Sequence, residues 1–305
     1  MNLTQRQLRM FVTTAAVGNI SRASEALHIS QPALTRALQE FESQLGVALF
    51  LRTTRQLALT PEGERFLPVA QRLLHDLTEA AALIQGEATG QRGSVSLAVG
   101  EAFGCTVLPD ILQAFVKTHP GVRVRVVNDN SQGITRRVAQ GVVDFGIGSP
   151  VGRTEALRFT KLLSAPLGLL FNPELHQLKA WVRTEALGDL PLLKESSDTS
   201  IVSVLRAQGS DLVAHMDPGV EVSSLALQLA MARAGVGIAV MSALGASHRD
   251  AADLRFSPLR PSVQREVFVM QQRDRALSVP ARALIEAVIE GARGAHLHRQ
   301  VKLER

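Results

Sequence analysis

Residues 29–39 read ISQPALTRALQ, and four of their side chains could do chemistry together. Gln31, Thr35, Arg36 and Gln39 recur at helical spacing on one face, opposite the apolar Ala33, Leu34, Ala37 and Leu38. That polar face carries a single charge, whereas an ordinary water-facing helix is richer in Glu and Lys. Amides, a hydroxyl and a guanidinium in a row suit the base edges of a DNA major groove. Gln pairs with adenine, Arg with guanine, and the Thr methyl meets the thymine methyl. Ser21, Arg22 and Ser30 stand where hydroxyls, a guanidinium and helix N-termini would grip phosphate. Pro32 fits the first turn of this helix, where its missing N–H costs nothing. Arg52, Thr53 and Arg55 lie at a basic tip suited to a minor groove or to phosphate. The competing reading is an ordinary solvated three-helix domain, or a helix-turn-helix that contacts protein.

These side chains need a scaffold, and residues 1–60 supply its pattern. Leu8, Phe11, Val12, Ala15 and Ala16 form the stripe of a first helix, which Gly18-Asn19 ends. Ser21 is the expected N-cap of a short second helix, with Ala23, Ala26 and Leu27 inward. The third helix runs to about Leu45, where Gly46 stops it. Two short helices across a tight turn describe a helix-turn-helix. Leu49, Phe50 and Leu51, then Leu57 and Leu59, read as two strands of a wing. This fifth of the chain holds six Arg and no Lys against three Glu, a net +3 out of the +5 of the whole protein.

Residues 61–89 predict one long helix with Thr60 as cap, Pro61 at its first position, and Glu62 and Glu64 at its positive end. Phe66, Ala70, Leu73, Leu77, Ala80 and Ile84 alternate spacings of four and three, as in a coiled-coil seam. Pro68 should bend or break the helix. A Gly-bearing linker follows over 86–93. From Ser94 the pattern alternates strands (SVSLAVG, VRVRVV, VDFGIG, LGLLF, LPLLK, VGIAVM, EVFVMQQ) with helical stretches, which predicts an α/β fold with parallel sheets.

At 305 residues and 46% hydrophobic, the chain supports more than one domain. Cys105 is the single cysteine, so an intramolecular disulfide and a CxxC site are both excluded, which suits a reducing cytoplasm. The N-terminus lacks an apolar signal-peptide region, and the longest apolar stretch is too short to span a bilayer. GxSxG, P-loop and HExxH patterns are missing, so the sequence offers no catalytic constellation and calls for neither cofactor nor metal. His296 and His298 sit in a basic tail, 293–305, expected to be flexible. Asp144 reads as structural.

LRMFVTTAAVGNISRASEALHISQPALTRALQEFESQLGVALFLRTTRQLALTPEG resembles, without a gap, the N-terminal domain of the LysR-type transcriptional regulators. SQPALTRAL, LGVALFLRT and LTPEG carry the likeness most specifically, and LPDILQAFVKTHPGVRVRV extends it. The resemblance implies a winged helix-turn-helix, a dimerising linker helix, and an effector-binding unit over 93–292. That unit would have two α/β subdomains, 93–163 with 264–291 and 164–263, similar to periplasmic binding proteins. It also implies homodimers or homotetramers, an imperfect DNA palindrome as target, and an effector, a small organic acid or other small metabolite, in the inter-subdomain cleft. The loops implied to converge there carry Glu101, Ala102, Phe103 and Thr106; Asn130 and Ser131; Ser149; Ser196, Ser197, Ser200 and Ile201; and Ser223. Many relatives have Ser or Thr early in the first loop, where this chain reads Gly100-Glu101-Ala102-Phe103-Gly104. Glu101 would repel a carboxylate, attract an amine, or face solvent. A periplasmic-type solute-binding protein and an α/β enzyme with a helical arm are the alternatives. The N-terminal domain speaks against the first, and the missing constellation against the second.

Overall fold

The structure is a computed structural model. It describes residues 3–304 apart from 53–56, 85–91, 153–154, 196–199, 209–219 and 223. The chain divides into two compact units, essentially Met1–Glu87 and the remainder.

In the first unit, α1 (Gln5–Val17) opens on a capping box in which Thr4 and Gln7 satisfy each other's backbone N–H groups, and it closes on Gly18 in the left-handed region. The second helix, α2 (Ile20–Ala26), starts earlier than expected. Its cap is Asn19, whose Oδ1 accepts the Arg22 N–H at 3.0 Å, so Ser21 lies inside the first turn and is no cap. Asn and Ser cap about equally well, and the pattern alone did not choose between them. The third helix, α3 (Gln31–Leu45), is capped by Ser30 and ends on Gly46 at φ 73°. A two-stranded antiparallel wing follows, β1 (Phe50–Arg52) and β2 (Leu57–Leu59).

Helix α4 (Pro61–Ile84) starts from Thr60, whose hydroxyl accepts the Gly63 N–H at 3.0 Å and donates to the Ala48 carbonyl at 2.7 Å. Gly63 is required by close approach, since a Cβ there would lie 2.2 Å from the Leu49 carbonyl oxygen. The expectation was a bend or a break at Pro68; the helix continues through it, so there is no break. Proline removes one N–H, and packing of Phe66, Leu67, Ala70 and Leu74 on the domain core holds the helix on both sides of it. The core centres on Phe11, whose ring meets Phe50 and Phe66 at 5.5 Å and Phe41 at 6.1 Å. Ala16, Ala26 and Ala33, expected inside, are exposed, while Met10, Thr14 and Phe41 are buried. Alanine fits either side of a helix, so its position carries little orientation.

In the second unit, β3 (Arg92–Val99) pairs in parallel with β4 (Gly121–Asn128) and β5 (Phe145–Gly148). Between them run α5 (Glu101–Thr106), α6 (Leu108–Thr118) and α7 (Ser131–Ala139). The long β6 (Leu157–Phe171) then links two sheets. The second sheet adds β7 (Val182–Arg183), β8 (Leu192–Glu195), α8 (Ser200–Gln208), β9 (Glu221–Val222), α9 (Leu225–Arg233), β10 (Ile238–Ser242) and β11 (Arg255–Arg260). The chain returns through β12 (Gln264–Gln272) and α10 (Val279–Gly294). Up to Pro166, β6 pairs antiparallel with β12; from Leu167 it pairs with β10 and β11. The change of partner falls slightly beyond the expected Leu163–Ser164 junction. Each lobe keeps its own core, around Leu97, Phe145, Leu163 and Leu284 in the first and Leu169, Phe171, Leu205 and Ile238 in the second.

The expected tail is no free tail over its described residues, 293–304. Here β13 (Lys302–Leu303) adds to β6, the Glu304 N–H reaches the Leu162 carbonyl at 2.9 Å, and Leu297, Val301 and Leu303 pack on the core. Apolar residues every few positions, hidden among its charges, account for this. Asp144 is structural: its buried carboxylate accepts the Ser96 N–H and hydroxyl, both at 2.8 Å.

Candidate functional site

Two sites emerge, one in each unit. In the first, the turn between α2 and α3 is set by local backbone bonds. The Ile29 N–H reaches the Ser24 carbonyl at 3.0 Å, and His28 takes a left-handed φ of 54°. Leu34, Leu38 and Phe41 anchor α3 inward. Gln31, Pro32, Arg36 and Gln39 are consequently exposed, with Thr35 half-buried beside them. Ser21, Arg22 and Ser30 are exposed at the adjacent helix starts, and the Ser21 hydroxyl donates to Gln31 Oε1 at 3.0 Å. That bond fixes one amide of the row before any ligand arrives. Arg52 ends β1 at the wing; its side chain, and all of Thr53 and Arg55, lie outside the described residues. Ala33 joins the exposed face unannounced, a small residue that lets the helix approach a partner closely.

In the second unit, loops from both lobes enclose a cavity of about 180 Å³. This is small beside the ~300–1,000 Å³ of common ligand pockets. Gly100, Glu101 and Ala102 enter from the start of α5, and Asn128, Asp129, Asn130 and Ser131 from the β4–α7 turn. Ile201 enters from α8, Leu225 and Gln228 from α9, Met241, Ser242 and Gly245 from β10 and the turn after it, and Arg265 from β12. Of the residues singled out in the sequence, the structure therefore brings together Glu101, Ala102, Asn130, Ser131 and Ile201.

Three others go elsewhere. Phe103 is buried in the core of the first lobe, because α5 turns its aromatic side inward. Thr106 ends α5, two residues before α6 begins, and faces away from the cavity lining. Its hydroxyl donates to the Ala102 carbonyl at 2.5 Å, and the residue lines a groove between α6 and α10. Ser149 is buried and donates to the Glu266 carbonyl at 2.6 Å. Ser196, Ser197 and Ser223 lie outside the described residues, as does the side chain of Ser200, the first residue of α8.

The loop 128–132 was expected at the cleft, and Asn128 and Asp129 do line it; the sequence reading missed Gln228, Ser242 and Arg265. Gln228 carried a signal, a lone amide in the apolar helix LALQLAMAR, and it is buried. Arg265 joins the cavity only through long-range folding, which short-range pattern does not show.

The cleft mixes apolar side chains with a network of polar ones. Asp129 accepts from Arg137 Nε at 2.6 Å and from the Asn130 N–H at 2.9 Å, while Asn130 Oδ1 caps α7 through the Gly133 N–H at 2.8 Å. Glu101 is half-buried and bonded: it accepts the Leu225 N–H at 2.8 Å and the Ser224 hydroxyl at 3.3 Å across the cleft. Partial burial, and secondarily the Glu101 charge, push the Cys105 thiol above its ordinary value. Less thiolate means a less reactive sulfur. Among the described residues there is no group of three or more His, Cys, Asp or Glu placed to hold a metal, and no helix long and apolar enough to cross a membrane.

A winged helix-turn-helix, a long helix and a two-lobed α/β unit with a polar cleft define the class of one-chain regulators that couple a DNA reader to a small-molecule receptor. Comparison with known proteins places the chain within that class. Residues 5–64 match the family described as bacterial regulatory helix-turn-helix protein, lysR family, and residues 88–293 match the LysR substrate binding domain. The chain belongs to the LysR family of DNA-binding transcriptional regulators. It is 28% identical over 285 residues to the uncharacterized HTH-type transcriptional regulator YbhD of Escherichia coli, covering 92% of this chain and 90% of that one. It is 27% identical over 291 residues to YfeR of Shigella flexneri, covering 94% of each. The fold matches solved full-length OxyR from Pseudomonas aeruginosa (TM-score 0.68, 22% identity, 100% of this chain and 99% of that one). It also matches the LysR family regulator CbnR (TM-score 0.68, 22% identity, 95% and 99%).

Proposed function

We propose that this chain is a ligand-responsive, sequence-specific regulator. Gln31, Thr35, Arg36 and Gln39 read base edges. Ser21, Arg22, Ser30 and Pro32 seat the head on phosphate, and Arg52, Thr53 and Arg55 grip the flanking groove. A small polar metabolite binds in the cleft and shifts the geometry of the lobes, and with it the spacing of the DNA readers. The observation that carries this reading is the exposed row of short polar side chains on α3, held by a buried apolar face, in a chain whose other unit encloses a polar cavity. The exposed apolar row Val69, Leu73 and Leu77 on α4 supports a homodimer or homotetramer built partly through that helix, and two half-sites in an imperfect palindrome. The chain would work in the cytoplasm, and no part of this reading needs a catalytic step or a cofactor.

The test is a thermal-unfolding screen of the full chain against small amides, polyols, amines and carboxylates, followed by operator binding with and without each hit. A true effector at about 100 times its Kd adds ~3 kcal/mol of stability, and it must also change operator affinity or footprint. Stabilisation with no change at the operator would separate the cleft from regulation.

A further inference from the structure

Glu101 opens α5 in the first lobe, yet its carboxylate sits at the start of α9, 124 residues later, in the second. Ser224 holds the N-cap position of α9, where a serine hydroxyl ordinarily accepts an N–H from the helix's first turn. Here that hydroxyl makes no such bond and instead donates to Glu101 Oε1 at 3.3 Å. Glu101 Oε2 takes the Leu225 N–H at 2.8 Å. A nine-residue helix is thus capped by a carboxylate from the opposite lobe. Unpaired N–H groups and the positive end of the helix dipole make such a terminus the natural seat of a free anion.

We propose that Glu101 sets the charge preference of the cleft. It is a tethered carboxylate that occupies the anion seat at the head of α9 and holds the lobes together there. A free acid is denied that seat. The bearing on effector choice rests on the cleft being the ligand site; the occupancy of the helix end does not. A group on the same chain competes at an effective concentration of the order of mM, so a dilute acid does not displace it. The rest of the lining offers a ligand the uncharged Asn128, Gln228 and Ser242 beside Arg265 and the Arg137-paired Asp129, so with the helix seat taken the cleft favours a hydroxylic, amide or amine compound over a carboxylate more than the same cleft without Glu101 would.

The experiment uses acetate as a free carboxylate in place of the missing side chain. Full-length native protein and Glu101→Ala are titrated with sodium acetate against sodium chloride at constant ionic strength. Thermal unfolding is followed, together with deuterium uptake at the segment opening α9. The alanine variant should be stabilised, and that segment protected, at acetate concentrations at least tenfold lower than any that affect the native chain. Acetate acting equally on both proteins, or on neither, overturns the proposal. Should Glu101→Ala not fold, Glu101→Gln is titrated in the same way, its neutral amide ceding the seat more readily; the same two results decide. If instead no metabolite alters operator binding, it is the regulatory reading of the cleft that fails, and the acetate contrast stands.

Discussion

Glu42 joins the third helix to the wing. It lies on α3, and its Oε1 accepts the Leu49 N–H at 2.8 Å and the Phe50 N–H at 3.0 Å, tying the helix to the root of the wing. Glu42→Ala would leave two half-buried donors without that acceptor, and should destabilise the N-terminal unit by ~1–3 kcal/mol in urea unfolding. Arg36 is exposed in the middle of the reading face. Its replacement by Ala should relax the preference at one base position by ~1–3 kcal/mol. Arg52→Ala or Arg55→Ala should instead weaken binding to every sequence and flatten its salt dependence, as lost phosphate contacts do. Titrations at several salt concentrations separate the two behaviours. At this scale the exposed polar row of α3 was legible, because periodicity assigns such a row to one side of a helix. The partners of Glu101 were not, since Leu225 and Ser224 lie far along the chain and no local pattern links them.

At the scale of elements, α4 shows where a one-dimensional pattern merges two faces. The spacing joined Phe66 and Ala70 to Leu73 and Leu77 in one seam. In the structure Ala70 is fully buried and Phe66 packs on the head's core, while Leu73 and Leu77 are exposed by 39% and 49%, with Val69 beside them. Ala80 is exposed as well, and the side chain of Ile84 lies outside the described residues. The outward row is therefore Val69, Leu73 and Leu77. The double substitution Leu73→Asp and Leu77→Asp should leave the head folded but dissociate the oligomer and lower operator affinity, because linked half-sites bind far better than one. Sedimentation velocity reads the first effect; a variant still associated would place the interface elsewhere. All seven expected strands are present. The sequence reading missed β7, β9 and β13, two-residue strands made by long-range pairing, and β11, whose RFSPLR looks like a loop because of its proline and charged ends. It also missed the first half of β6, where Arg158 and Lys161 disguise a strand partnered by β12.

At the scale of the molecule, the C-terminal stretch closes the second unit. The His298 N–H bonds to the Ser247 hydroxyl at 2.9 Å, its ring stands edge-on to Phe256 at 5.1 Å, and Lys161 pairs with Glu266 and Glu304. Burial, and then the neighbouring Arg299, hold the His298 imidazole below its ordinary value. Above the ordinary imidazole range both folded and unfolded chains are neutral there, and the contribution is complete. As pH falls through that range toward the depressed folded value, the unfolded chain takes the proton first, so stability is lost on acidification. The protection of residues 296–304 against deuterium exchange, corrected for the pH dependence of the intrinsic amide exchange rate, should fall between about pH 7 and about pH 5, and His298→Gln should flatten that fall.

The central claim is that α3 reads DNA sequence on behalf of a symmetric assembly. Selection of bound duplexes from a random library by the native full-length chain, and by Arg36→Ala, tests it most directly. The native chain should enrich an imperfect palindrome, and Arg36→Ala should lose preference at one position, repeated symmetrically in both half-sites, while keeping the rest. Enrichment of no sequence by the native chain, or of the same sequence with undiminished preference by the variant, would contradict the account.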